Sequence, residues 1–357
     1  MQHYPRAAEL PPAWDALAGS FFRSRAFLEH CERHNPCHQR YYGLWRKDEL
    51  VAGAIAYDLT LDLLTYLGTG RRDAARAGAA PTDGGPAAAA QRRQLRSPLR
   101  MTVIGVPCSV AWPGLLGAPK HSNPLLAAVL ERERGLVLGL NTAPRPTITG
   151  LVQGPTLPTV VLEHELSSFD DYLAALRSDY RRRYRRIATA MAGAQRIVGP
   201  CSKLTERGYR LYLGAFERSD AKLEKLSHGF FTALPAPFQL TRYELRGALL
   251  GWHISAVEPG RTTFFMGGVD QDLNERYRVY FNLLFDVIRQ GIEAGCTTID
   301  LGQTAEVPKL RTGAILEPRG MFAWNRWRPL RGVLQRAAPW LTYGETFEAP
   351  RVFKGKA

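Results

Sequence analysis

Thr262-Thr263-Phe264-Phe265-Met266-Gly267-Gly268-Val269 is a run of β-branched and aromatic residues ending in two glycines, and the fold is decided by what surrounds it. Ala248–Val257 before it reads as a second strand, and Glu258-Pro259-Gly260-Arg261 between them has the composition of a hairpin turn. Downstream, Asn274–Ala294 carries Tyr277, Phe281, Leu284, Ile288 and Ile292 at helical spacing, and Gly295 closes that helix. Cys296–Leu301 is then a short apolar strand. Hairpin, helix and strand in this order predict a crossover that lays the last strand parallel to Thr262–Val269. The segment is α/β, of the mixed α+β kind.

Working outward, Ser168-Phe169-Asp170-Asp171 has a capping-box pattern. It opens a helix with Phe169, Leu173, Leu176, Tyr180, Tyr184, Ile187 and Met191 on one face, and Thr205–Ser219 is a second helix. In the first half, residues 12–34 are helical up to His34-Asn35-Pro36. Tyr41–Trp45 and Leu50–Tyr57 are strands around the polar turn Arg46-Lys47-Asp48-Glu49, with Thr60–Leu67 continuing the sheet. Met101–Val110 is a strand, Asn123-Pro124 opens a helix running to about Arg134, and Leu136–Leu140 and Thr159–Glu163 are further strands. Between them, Gly70–Pro98 is rich in Ala, Gly, Arg and Pro, a composition that cannot build a core and predicts a disordered loop. The expected division is residues 1–164, residues 165–320 and a basic tail, 321–357, holding Trp324, Trp327 and Trp340.

At 357 residues with 45% hydrophobic composition, the chain is long enough for two cores. No apolar run reaches membrane-spanning length, the N-terminus lacks a signal-peptide pattern, and five scattered cysteines make no disulfide framework. These features predict a cytoplasmic protein. The net charge of +14, of which +4 lies in Gly70–Pro98, favours phosphate-bearing partners.

Three stretches carry chemistry. Gly267 and Gly268 allow close backbone approach at a strand end, where a thioester or amide-like donor would lie. The loop Asp270–Arg276 runs into a helix N-terminus, and Arg276 and Arg278 add charge for a donor phosphate. Asp300-Leu301-Gly302-Gln303-Thr304 leaves a buried strand for polar residues and presents Lys309 before Arg311-Thr312-Gly313; a lysine there offsets charge on an oxyanion. His228, His253 and Glu258 are the candidate proton acceptors. The run Arg181–Arg186, alternating with Tyr180 and Tyr184, suits an anionic substrate or RNA. His30, Cys31, His34, Cys37 and His38 cluster without the spacing of a zinc finger, so no metal is expected.

The arginine helix with Tyr184, the hairpin into Gly267-Gly268, the helix after Arg276-Tyr277, the Asp300-Leu301-Gly302 strand and the Lys309–Gly313 segment together resemble the FemAB-like acyl and aminoacyl transferases of the GNAT superfamily. Ser24–Glu29 and Val106-Pro107-Cys108 extend the resemblance to the first half. It implies tandem GNAT-like domains, each a mixed, mostly antiparallel sheet flanked by helices, with a channel between them. It also implies a donor site in the second domain, to which Tyr277, Asn282, Gln303 and Thr304 are added, and an acceptor site near Arg181, Tyr184, Arg185 and His228. Lys309 is the first catalytic candidate. Without a glycine-rich phosphate loop the donor is an acyl-CoA or acyl-carrier-protein thioester rather than acetyl-CoA by default; an aminoacyl-tRNA is the alternative. A non-catalytic RNA- or membrane-binding protein on the same scaffold is the rival reading, with the tail's Trp and Arg residues as the membrane contact.

Overall fold

The computed structural model describes residues 1–35, 37–61, 99–108, 110–219, 224–345 and 347–355. The stretch 70–98, expected to be a disordered loop, lies outside the described residues, as does most of Thr60–Leu67.

In chain order the first half contains β1 (Gln2–Tyr4), α1 (Ala13–Ala18), α2 (Arg25–His34), β2 (Arg40–Arg46), β3 (Glu49–Leu61), β4 (Leu99–Ile104), β5 (Leu115–Leu116), α3 (Pro119–Arg132) and β6 (Leu136–Thr142). Then come β7 (Val152–Glu163), α4 (Phe169–Ala175), α5 (Ser178–Ala190), β8 (Gln195–Gly199), α6 (Glu206–Arg218), α7 (His228–Thr232), β9 (Phe238–Leu245), β10 (Ala248–Glu258) and β11 (Arg261–Val269). The chain continues through α8 (Gln271–Tyr277), α9 (Val279–Glu293), β12 (Thr298–Gln303), α10 (Glu306–Leu310), β13 (Ile315–Asn325) and α11 (Arg328–Leu341).

The described strands form one sheet of thirteen, in the order β1-β2-β3-β4-β6-β13-β7-β12-β11-β10-β9-β8, with β5 beside β3. One pattern occurs twice. Strands β2, β3 and β4 are antiparallel neighbours, and after α3 the chain returns as β6 parallel to β4. Likewise β9, β10 and β11 are antiparallel, and after α8 and α9 the chain returns as β12 parallel to β11. The expected hairpin, helix and parallel strand are therefore present. At the junction the two patterns exchange partners: β7 pairs with β12, and β13 lies between β6 and β7. Residues 321–325, read from sequence as the start of a tail, are thus the end of a central strand, and Trp324 is buried. The aromatic side chains of α2 and the turn before it meet those of the later strands: Phe22 and Phe27 pack on Phe238 and Phe265, with ring centroids 5.2–6.4 Å apart across the four residues. Side chains from the first and second halves of the chain so share one core.

Other departures have local causes. The helix expected across 12–34 breaks at Gly19, which is left-handed, and restarts with Ser24 capping α2. Helix α3 begins at Pro119, ahead of the expected Asn123-Pro124. The helix expected from Ser168 to Met191 is α4 and α5. Leu176 leaves the helix because the backbone there pairs with the C-terminal segment: Arg177 N–H donates to Val352 O and Lys354 N–H to Ala175 O, both at 2.9 Å.

Candidate active site

Strands β11 and β12 pair only from Arg261↔Thr298 to Thr263↔Asp300. Beyond that they separate, and a cavity of about 330 Å³ occupies the gap. Its walls come from β11 (Thr263–Val269), β12 and the residues after it (Asp300–Ala305), α6 (Tyr212, Phe216), α9 (Tyr280, Leu283) and the segment after β4 (Cys108, Trp112). The lining is mainly aromatic and aliphatic.

The backbone leaving β12 is unusual. Gly302, Thr304 and Ala305 all have positive φ (77°, 62° and 51°), and two of the three are not glycine. Such conformations are unfavourable for side-chain-bearing residues and cluster where a chain is held for function. Asp300 anchors the turn: its carboxylate accepts from Thr159 Oγ1 (2.6 Å), Gly302 N (2.9 Å) and Arg261 Nη1 (3.1 Å). Gln303 Nε2 donates to Asn141 Oδ1 at 2.8 Å. This places a side chain from β6 against the turn.

Lys309, on α10, is 3% exposed and borders the cavity. Its ammonium donates to Gly302 O (3.0 Å) and Gln303 O (2.8 Å). A lysine ammonium has three donors, so one N–H is left without a described partner beside the cavity. Burial pulls its pKa down to about 8, against the pull of Asp300 and Glu306 in the other direction.

Gly267 and Gly268 line the cavity, but their close backbone approach is to protein. A Cβ on Gly268 would lie 2.9 Å from Tyr212 N and 2.8 Å from Trp252 Nε1, so the glycine lets α6 lie on β11. The irregularity of the strand is at Phe265, which the β10 register skips. The helix end after β11 is also not free for phosphate: Asp270 caps α8, accepting from Asp272 N and Leu273 N. The helix expected over Asn274–Ala294 bends at Arg278, which is left-handed and exposed, because Asn282 Nδ2 donates to Tyr277 O (3.3 Å), Arg278 O (3.1 Å) and, on α5, Ile187 O (3.1 Å). Asn282 is thus a staple between helices. Arg276 lies over Tyr277, 5.2 Å from its ring centroid.

The expected proton acceptors are not assembled here. His253 is fully buried, Nε2 lies 2.9 Å from Asp286 Oδ2, and its ring stacks on Phe264; Phe264 lines the cavity and His253 does not. Glu258 accepts from Ser20 Oγ and Phe21 N. His228 lies 2.7 Å from Glu206 and stacks on Tyr209, tying α7 to α6. Of the α5 candidates, Tyr184 packs between Phe169 and Phe285. Arg181 and Arg185 line a separate open groove of about 570 Å³ with Arg182. Sequence reasoning missed Glu224, Trp112 and Phe216, which come to the cavity from three separated segments. Among the described residues no group of three or more His, Cys, Asp or Glu side chains is placed to hold a metal ion, and no helix is long and apolar enough to cross a membrane.

Residues 174–309, which include α5, the splayed strands and Lys309, match the sequence profile of the acetyltransferase (GNAT) domain. Among solved structures, FemX superposes with a TM-score of 0.55 at 10% identity, over 94% of this chain and 100% of that one. Lower similarity is found to L-PGS from Bacillus licheniformis (TM-score 0.44, 10% identity, 86% and 94% coverage) and to a GCN5-related N-acetyltransferase from Kribbella flavida (0.40, 13%, 90% and 70%). None of the curated protein sequences matches at a significant level. The protein has a GNAT/FemAB-like fold, and the match to the GNAT domain profile falls on residues 174–309.

Proposed function

We propose that the protein moves an acyl group from a thioester, acyl-CoA or acyl-carrier protein, to an amine or hydroxyl acceptor. The observation that carries this reading is the gap between β11 and β12 with Lys309 beside it. Parallel strands that stop pairing leave backbone donors and acceptors along the gap, the groups an extended amide-bearing donor arm satisfies. The remaining N–H of Lys309 borders the same space and stabilises negative charge developing on the thioester oxygen, in surroundings where few water dipoles compete. An apolar lining suits the uncharged acyl group. Gly267, Gly268, Gln303 and Thr304 are the cavity-lining members of the donor set; Arg276, Tyr277 and Arg278 lie at the α8–α9 bend, where Arg278 is free to meet a donor phosphate.

An aminoacyl-tRNA donor is the second reading, favoured by the groove of Arg181, Arg182 and Arg185 on α5. Nearby, Arg183, Arg186, Arg278 and Arg311 form no ion pair with any described residue, and the last three depress the ionisation of Arg183 after burial. The two donors separate experimentally. Acyl-CoAs of increasing chain length should raise the melting temperature, and the Lys309→Ala variant should bind them yet transfer poorly. Stabilisation by no thioester, together with tight binding of charged tRNA, overturns the thioester reading; full activity in Lys309→Ala removes the role given to Lys309.

A further inference from the structure

If Lys309 answers the charge on the carbonyl oxygen, a second group must take the acceptor's proton. An amine arrives at neutral pH as an ammonium ion, which has no lone pair and cannot attack. His253, Glu258 and His228 are all engaged away from the cavity. Glu224 is not. It borders the cavity, and its Oε2 accepts from the backbone N–H of Cys108 and from Asn35 Nδ2 (3.3 Å). Its other oxygen, Oε1, is buried and has no partner among the described residues. A buried carboxylate oxygen left unsatisfied is unfavourable by about 1–3 kcal/mol or more, which calls for an explanation. The residue that carries it lines the cavity.

Resting on the acyl-transfer reading, we propose that Glu224 is the catalytic base: it binds an amine acceptor as its ammonium ion and removes one proton. The surroundings fit the task. Burial pushes its carboxyl up to about 7, and the hydrogen bonds from Cys108 and Asn35 hold it from rising further. Among the described residues, the ionisable groups that couple to it are the thiols of Cys37 and Cys108 and the phenols of Tyr57 and Tyr212. Burial shifts all four upward, so each stays neutral while Glu224 titrates. Among the described residues no cation is among the groups that shift it, and an incoming ammonium would bring the opposite charge.

The step balances without a further reagent. Glu224 takes a proton from R–NH₃⁺, and the freed lone pair forms the N–C bond while the carbonyl electrons move to the oxygen beside Lys309. Collapse of the tetrahedral intermediate breaks the C–S bond, and the sulfur leaves with the electron pair. The second nitrogen proton passes to the thiolate, and Glu224 releases its proton to water as the amide departs. A hydroxyl acceptor, far less acidic than an ammonium, is a poor match for a carboxylate base.

The test uses the full chain and Glu224→Gln, which preserves shape and removes the charge. With acetyl-CoA and octanoyl-CoA as donors, thiol release is followed for primary amines and the matching alcohols. The wild type should prefer amines, with kcat/KM rising through about pH 7; Glu224→Gln should lose about 10²–10⁴-fold and the pH limb with it. A Glu224→Gln rate within about threefold of wild type, with the same limb, overturns the proposal. A donor-free arm measures binding of octylamine and phenethylamine by calorimetry. Wild-type affinity should increase through about pH 7 as the carboxylate ionises, and Glu224→Gln should bind about tenfold more weakly with no such increase. Equal binding by both proteins, or none by the wild type, also overturns it. If no CoA thioester is used but amine binding behaves as expected, the thioester donor fails and the catalytic part of the proposal falls with it, while the amine-binding role of Glu224 stands.

Discussion

Both halves of the sheet bury charged side chains beside a parallel strand pair, and they treat them in opposite ways. Beside β4 and β6, Arg40 meets Glu133 through Nε (2.8 Å) and Nη2 (2.6 Å), Asp58 through Nη1 (2.8 Å) and Thr102 at 2.8 Å, while Tyr42 donates to Glu133 at 2.6 Å. Burial pushes Glu133 and Asp58 up, yet the hydrogen bonds from Arg40, Tyr42 and Arg100 leave both below their ordinary values. Beside β11 and β12, among the described residues, Lys309 hydrogen-bonds only to backbone carbonyls and one oxygen of Glu224 has no partner. There both groups move toward neutrality, Lys309 down and Glu224 up. A charge whose partners are supplied by the fold holds the fold together. A charge brought into a cavity and left incomplete is available to a ligand.

The sharpest way to break this contrast is Arg40→Met. It leaves Glu133 and Asp58 without their shared cation and should destabilise by about 3–5 kcal/mol in chemical denaturation. Donor binding, after correction for unfolding, should hardly change. Lys309→Met should do the reverse: transfer falls by about 10²–10³-fold while the unfolding midpoint moves much less. Comparable loss of stability in both would mean that Lys309 is structural. Gly268→Ala tests whether α6 must lie against the strand. The added methyl meets Tyr212 N and the Trp252 ring at under 3 Å, and about 1–3 kcal/mol of overpacking is expected, with weaker donor binding.

The smallest effect is one of pH, with opposite signs in the two halves. Glu224 is raised when folded, so its stability contribution is full below the ordinary value of 4.5 and is lost as pH rises through about 7. Asp58 and Glu133 are depressed, so theirs is present above the ordinary carboxylate range and lost on acidification. Melting curves should therefore show Glu224→Gln gaining on the wild type by about 1–3 kcal/mol between about pH 5 and pH 8. A constant difference across that range would show that Glu224 does not titrate there.

Much of the second half was legible because its signals are local. The hairpin around Pro259-Gly260, the apolar stripe of α9 and the Gly295 stop each lie within a few residues, and together they imply the crossover to β12. Lys309 was legible for the same reason, standing just past a strand end. Chain breaks inside helices were not. Leu176 and Arg278 both sit in stretches that keep helical spacing on either side, so periodicity runs through them without a mark. The turn at Leu176 is set by pairing of its neighbour with Val352 O, and the one at Arg278 by the Asn282 side chain.

The sequence by itself determined the class of architecture, the order of strands around the β11–β12 crossover and the placing of a lysine a few residues past the end of β12, because hydrophobic period, turn residues and glycine positions act over a turn or two of chain. Tertiary structure alone decided that β7 and β13 exchange partners at the centre of the sheet, that His253 is buried against Phe264 outside the cavity lining, and that Glu224 from after α6 and Trp112 from after β4 border the same cavity as Lys309. Those outcomes depend on which distant surfaces bury each other and on which polar atoms are left unpaired when they do. No short-range pattern records either.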